Sequence, residues 1–258
     1  MDGKCLTLSS YHDESDIFSL ELDGAANSSL VSKVMGYNEF LLEDYGDDVA
    51  SWIGRVTGID APRLVGIPQD NDHPATKSNY NRRVKVNPDQ GEELPLNPAP
   101  IPVSLADEAP FLLTTRESLV ALNQYLKRSG KDEVDMRRFR PNIVIDGLKP
   151  WEEDTLKRIR IGSTEFHVWQ RCGRCVMTTI DRDTLHRCGE PMNTLSTFRE
   201  RVNGQRNFGM HLIPVVESEG RENENKDVAV GDEVEILEYD EERRAEWVRL
   251  FDNGNGAT

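Results

Sequence analysis

The densest chemistry in this sequence lies in eleven residues, Arg171-Cys172-Gly173-Arg174-Cys175-Val176-Met177-Thr178-Thr179-Ile180-Asp181. Two cysteines sit three positions apart, and each is directly preceded by an arginine. A guanidinium neighbour favours thiolate over thiol, and a thiolate is both a nucleophile and a soft-metal ligand. Half of the four cysteines in the chain fall in this stretch, so the remainder is read as scaffold around it. Three chemistries fit the residue types. A zinc site would use Cys172, Cys175, Cys188 and His186, but His186 and Cys188 lie only two apart, unlike the usual paired knuckles. A thioredoxin-like redox pair needs its CxxC to open a helix, whereas Val176 to Ile180 reads as a threonine-rich strand. The third is a single thiolate ligating another metal or cofactor while a neighbouring arginine holds an anionic group. Against all three stands an inert packed thiol, a common fate of free cysteine. Spacing alone leaves these open.

The elements that must position the cysteines can be followed along the chain. Residues 5–9 and 17–22 alternate apolar and polar side chains, the period of half-buried strands. A helix is expected from Asp47 or Asp48 as cap to Gly58, with Val49, Trp52, Ile53 and Val56 on one face. Pro62 to Ile67 reads as a short strand. Residues 68–100, rich in Pro, Asn and Asp, read as a long loop or boundary, with a basic cluster at Arg82-Arg83-Val84-Lys85. Phe111 to Leu113 reads as a strand, and Thr114 with Glu117 as a capping box opening a helix with Leu119, Leu122 and Leu126 as its stripe. Ile143 to Ile145 is a strand with a basic entrance, closed by the Asp146-Gly147 turn. Ile159, Ile161, Phe166 and Val168 alternate around Gly162-Ser163, a hairpin that delivers the chain to Cys172. A helix with Leu195, Phe198 and Val202 on one side follows Glu190-Pro191. Closing strands run over 208–216 and 233–239, separated by a polar stretch at 217–227, and a terminal helix is expected within 240–251. Many short strands with three or four helices give an α+β, β-rich fold with a barrel-like core.

At 258 residues the chain has room for one large domain or two small ones. A net charge of -15 argues against a general binder of nucleic acid or anionic membranes, both of which need a positive field. A local basic pocket is compatible with that charge, and the arginines around Cys172 are its candidate. No apolar run approaches the roughly 18 residues of a membrane-spanning helix. Neither a signal peptide nor a transit peptide is legible at Met1-Asp2-Gly3-Lys4-Cys5. Four cysteines in this length do not form a disulfide framework, so a reducing, intracellular and by default cytoplasmic setting is expected.

Arg140-Pro141-Asn142 before a strand, then Cys172 to Asp181, then Glu190-Pro191, Leu195, Arg199 and Phe208-Gly209 occur in an order that closely resembles the MOSC domain. That domain forms the C-terminus of molybdenum cofactor sulfurases, and the nearest resemblance within the family is to the mitochondrial amidoxime-reducing components and their bacterial relatives. The resemblance implies a MOSC domain with a β-barrel core and flanking helices over 84–239. It implies a partial N-terminal β-barrel domain with linker over 1–83, and a C-terminal helix or tail over 240–258. By resemblance, Cys175 is the molybdenum ligand and catalytic centre. Arg140, Asn142, Arg174 and Thr178 hold the molybdopterin cofactor, whose phosphate and dithiolene make it strongly anionic. The implied reaction removes oxygen from an N-hydroxylated small molecule, with electrons from a cytochrome b5 type partner and a mitochondrial association. Cys172 is expected to be a packed thiol or, as the weaker alternative, a group that supports the ligand from behind, and Glu190 and Arg199 a structural ion pair or helix-start charge. His167, His186 and His211 receive no role.

Two departures from the family pattern stand out. Relatives begin with a strand bearing a Lys-Ser pair and a following arginine that contact the cofactor, and no counterpart precedes Leu6 here. Glu108 and Ala109 replace small hydroxyl residues, and a carboxylate there would repel a phosphate. Two further functions are compatible with the pattern: sulfur carriage on Cys175 as a persulfide, and a non-catalytic remnant. A pyridoxal-phosphate label would be inherited from sulfurases, whose separate module this length does not accommodate.

Overall fold

The computed structural model describes residues 5–22, 28–34, 38–66, 109–199, 204–215 and 227–252. The basic cluster at 82–85, Glu108, Val202, the polar stretch at 217–226 and residues 253–258 lie outside them. The described residues fall into two compact units, 5–66 and 109–252.

In the first unit, β1 (Cys5–Ser9) and β2 (Ile17–Glu21) pair as an antiparallel hairpin. β3 (Ser28–Val34), β4 (Asn38–Asp44) and β5 (Val65–Gly66) form a second antiparallel sheet. α1 (Asp47–Thr57) follows β4 and ends at Gly58, whose left-handed backbone makes it the glycine stop that the sequence signals. Its N-cap is Gly46, however, with no side-chain cap bond; Asp47 and Asp48 sit in the first turn, where their charge is favourable to the helix dipole. Asp16 ties the helix to the hairpin by accepting from Trp52 Nε1 at 2.9 Å and from both terminal nitrogens of Arg55.

The second unit is built on one six-stranded sheet. Its strands are β6 (Phe111–Thr115), β7 (Ile143–Ile145), β8 (Leu156–Ile161), β9 (Thr164–Gly173), β10 (Asn207–Pro214) and β11 (Val234–Tyr239), ordered β11-β8-β9-β10-β6-β7. All pairs are antiparallel except β6–β7, whose crossover is made by α2 (Arg116–Arg128). α3 (Met192–Phe198) precedes β10, and α4 (Glu241–Trp247) follows β11.

Side-chain alternation gives this sheet two different faces. One apolar cluster gathers Leu113, Ile145, Leu156, Ile159, Ile161, Phe166, Val168, Met210 and Leu212, with Val234 and Ile236 packed on it. Both edge strands contribute and no helix does, so the sheet curls around its own side chains as a half-barrel. The second cluster joins Leu122 and Leu126 of α2, Leu195 and Phe198 of α3 and Trp247 of α4 to Phe139, Trp151 and Phe208. Phe208 serves the helices while Met210 and Leu212, of the same parity, serve the barrel. The register shift between Asn207 and Met210 resolves this, and Gly209 sits there with φ +83. A side chain at Gly209 would run into the Leu113 carbonyl, so the bulge requires glycine.

Two local expectations are corrected. The cap of α2 is Thr115, not Thr114: its side chain accepts from Ser118 N at 3.2 Å, while Glu117 turns away to accept from Gly147 N. Val176 to Thr179 forms a 3-10 turn, not a strand. Thr178 Oγ1 donates to the Cys175 carbonyl at 3.0 Å and Thr179 Oγ1 to that of Val176 at 2.6 Å. These backward bonds close the turn and override the β-branched pattern.

Candidate functional site

β9 brings Cys172 in from the sheet as a buried residue, 7% exposed. Two residues later Arg174 folds back over it. Arg174 Nη1 donates to Cys172 Sγ at 2.8 Å and Nη2 to the Phe139 carbonyl at 2.6 Å, while the guanidinium lies 5.6 Å above the Phe139 ring. Phe139 ends a 3-10 turn (Met136–Phe139) capped by Asp135, and Arg140 leaves it in the left-handed region at φ 54. Burial pushes the Cys172 thiol up, but a hydrogen bond with His211 and the charge of Arg174 outweigh it and hold the thiol below its ordinary value. Cys172 is thus a buried sulfur gripped by two donors, a fuller arrangement than a merely packed thiol.

Cys175 follows as the residue before the 3-10 turn, exposed where Cys172 is hidden. The chain beyond the turn loops back. Asp181 Oδ1 accepts from Thr184 N and Oγ1, each at 2.8 Å, and from Asp183 N at 3.2 Å. These bonds, those to Thr184 foremost, lower Asp181 to about 2 and keep it a carboxylate. The loop closes with Asp181 N on the His186 carbonyl and a bridge between Ile180 and Arg187. Cys188 N then donates to the Thr179 carbonyl at 3.1 Å, which sets Cys188 against the turn that Cys175 opens.

Between these segments lies a cavity of about 730 Å³, a volume suited to a small ligand or cofactor. Its wall carries Arg174, Arg187 and Arg206, the thiols of Cys175 and Cys188, and Met192 and Asn193 of α3. Among the described residues no Asp or Glu lines it, although the chain holds 46 acidic residues against 31 Lys and Arg. Arg187 makes no side-chain hydrogen bond or ion pair among the described residues, and Arg174 Nε is buried without a partner. Such a wall presents positive charge and soft sulfur together, fit for an anionic group that includes a thiophilic atom.

Of the residues singled out by sequence, the structure brings Arg174 and Cys175 together on this wall. Thr178 is buried behind Cys175 and bonds to its carbonyl. Arg140 is exposed and lies outside the lining, though it adjoins Phe139, whose carbonyl holds Arg174. Asn142 Oδ1 accepts from Leu112 N at 2.8 Å, pinning β6, and does not line the cavity. Glu190 accepts from Thr194 N at the start of α3, and Arg199 pairs with Asp154 instead of Glu190. Among the described residues no three His, Cys, Asp or Glu side chains gather to hold a metal, so the Cys172, Cys175, Cys188 and His186 zinc set does not assemble. The sequence reading missed Arg187, Cys188 and Arg206 as wall residues and His211 as the neighbour of Cys172. The long return from Asp181 and the pairing of β9 with β10 create those proximities. No helix among the described residues is long and apolar enough to cross a membrane.

The family profile of the MOSC domain matches residues 100–235, more than half of the 258. The zebrafish (Danio rerio) molybdenum cofactor sulfurase is 31% identical over 190 residues, 70% of this chain and 20% of that protein. Human mitochondrial amidoxime reducing component 2 is 33% identical over 158 residues, 60% of this chain and 42% of the human protein. The Arabidopsis thaliana molybdenum cofactor sulfurase is 36% identical over 118 residues, covering 43% of this chain and 14% of the plant protein. The chain therefore spans less than half the length of these relatives.

Proposed function

The chain belongs to the MOSC domain family, and from that premise we propose that its cavity binds the molybdenum cofactor, with Cys175 as the metal's protein ligand. The observation that carries this reading is the lining itself: an exposed cysteine among three arginines and, among the described residues, no carboxylate, in a strongly acidic protein. The donor set suits the group. Molybdenum with sulfur ligands is matched by a thiolate, and a phosphorylated pterin by guanidinium. Arg174 is fixed by Cys172 and Phe139, so its positive charge is held in one place on the wall. Arg187 and Arg206 add charge from the opposite segments. Thr178 supports Cys175 through its carbonyl, Asn142 steadies β6, and Arg140, outside the lining, would act through its neighbour Phe139, whose carbonyl holds Arg174.

When bound, the cofactor supplies the two-electron redox chemistry that the side chains lack. The reaction proposed is reduction of N-hydroxylated small molecules, with electrons from a cytochrome b5 type donor, in keeping with the relatives named as amidoxime-reducing components. The domain layout proposed is a MOSC domain over 84–239, preceded by part of a companion β-barrel domain over 1–83 and followed by a C-terminal helix or tail over 240–258. The relatives named as cofactor sulfurases favour a second reading, in which Cys175 carries a persulfide; a +32 Da adduct on Cys175 by mass spectrometry would mark it.

The test is elemental analysis of protein made in a host that synthesises the cofactor. Cys175→Ser is expected to lose molybdenum while Cys172→Ser keeps most of it. Equal loss in both variants overturns the assignment of Cys175.

A further inference from the structure

Cysteine spacing nominates Cys172 as the redox partner of Cys175, because the two form the CxxC. The structure separates them. Cys172 is buried and its sulfur is engaged by Arg174 and His211, whereas Cys175 faces the cavity. The second thiol on that wall comes from thirteen positions further along, Cys188, carried back by the Asp181 loop and anchored through Cys188 N on Thr179. Its thiol donates to the Glu190 carbonyl at 3.5 Å, and its residue is exposed. Two accessible thiols and three guanidinium groups on one wall make a dithiol site with a charge preference.

We propose that Cys175 and Cys188 form a redox pair that reacts with anionic low-molecular-weight disulfides and closes into an intramolecular disulfide, disarming Cys175. The oxidant class follows from the wall: the arginines attract a disulfide bearing carboxylates, such as glutathione disulfide. In the first exchange the Cys175 thiolate attacks one sulfur of glutathione disulfide, forming a mixed disulfide and releasing one glutathione thiolate. In the second the Cys188 thiolate attacks the Cys175 sulfur of that mixed disulfide and expels the other glutathione. Two protein thiols are oxidised, one small disulfide is reduced to two thiols, and the two thiol protons leave with the products or to solvent. A disulfide holds its Cβ atoms about 3.8 Å apart, so the bond is also a measure of how closely the loop brings Cys188 to the turn. The meaning of this as control of loading rests on the molybdenum reading above; the disulfide itself does not.

The sequence makes the experiment clean. Trypsin cuts after Arg171, Arg174, Arg182, Arg187 and Arg199, which places Cys172, Cys175 and Cys188 in three separate peptides. The reduced full chain is treated with glutathione disulfide, quenched by alkylation, digested and mapped by mass spectrometry. The expected product is peptide 175–182 joined to peptide 188–199, with Cys172 alkylated only after unfolding. Cys188→Ser, with its thermal unfolding checked, is expected to stop at glutathione on Cys175. Arg187→Ala is expected to slow the reaction several-fold with glutathione disulfide and not with the uncharged 2-hydroxyethyl disulfide. A Cys172–Cys175 link, stable glutathione on wild-type Cys175, or no reaction each overturns the pair. Molybdenum content of the reduced protein is measured separately, so failure of the pair and failure of the cofactor reading are distinguishable.

Discussion

Arginine serves opposite ends in two parts of the second unit. Under the helices, Arg199 is fully buried and gives Nη2 to both oxygens of Asp154 at 3.0 and 2.7 Å, with its guanidinium 4.8 Å from the Trp151 ring. Arg171 completes that group through Asp154 at 3.1 Å and Glu246 at 2.7 Å. Each charge there is matched by a carboxylate within the fold. On the cavity wall Arg174 is spent on a thiol and a carbonyl, and among the described residues Arg187 has no ion pair and no carboxylate lines the space. The first set holds the protein together; the second is the set to which the proposed reading assigns an anionic ligand.

That contrast can be broken by substitution. The largest effect is expected at Asp154: Asp154→Ala removes the carboxylate partner of the fully buried Arg199 and one of the two partners of Arg171, and should cost about 3–5 kcal/mol in urea unfolding. A loss under 1 kcal/mol would show the buried group to be replaceable. The neighbouring Glu153 sharpens the same side. Burial, and then the charge of Asp154, raise it to about 7 from an ordinary 4.5, so the folded state holds its proton more tightly than the unfolded chain. Its contribution is full below about 4.5 and is lost as pH rises through about 7, so stability falls across that window. Glu153→Gln should flatten that slope in pH-resolved unfolding, and an unchanged slope would place the titration elsewhere.

Arg174 spans the comparison, since it is fixed inside and faces the cavity. Arg174→Met should cost about 1–3 kcal/mol for the two lost hydrogen bonds and also lower molybdenum content. If stability falls and loading does not, Arg174 belongs with the buried set. Arg187→Ala should change stability by no more than about 0.5 kcal/mol, while molybdenum content falls. A variant that unfolds early would mean the guanidinium is structural.

The fold was legible wherever one period dominated. Alternation around Gly162-Ser163 announced the β8–β9 hairpin, and Leu122 and Leu126 announced the buried stripe of α2. It was illegible where side chains compete with the backbone. Thr178 and Thr179 looked like strand residues because their bonds back to Cys175 and Val176 have no signature in spacing. The candidate site was half visible. Cys175 and Arg174 are adjacent in sequence, so their shared wall could be anticipated. Cys188 and Arg187 reach it only through the Asp181 loop, and His211 reaches Cys172 only because β10 runs beside β9 with Met210 opposite Arg171. A single isolated bridge and a bulge at Gly209 decide those contacts, and neither has a periodic signal.

The most direct measurement is protection of Cys175 from alkylation in molybdenum-loaded protein under reducing conditions. The tryptic peptide 175–182 isolates that thiol from Cys172 and Cys188, so its labelling with iodoacetamide can be set against molybdenum per chain. If Cys175 is the ligand, the unlabelled fraction of that peptide rises in step with molybdenum content and disappears when the metal is removed. Full labelling of Cys175 in a chain that still carries its molybdenum would contradict the account.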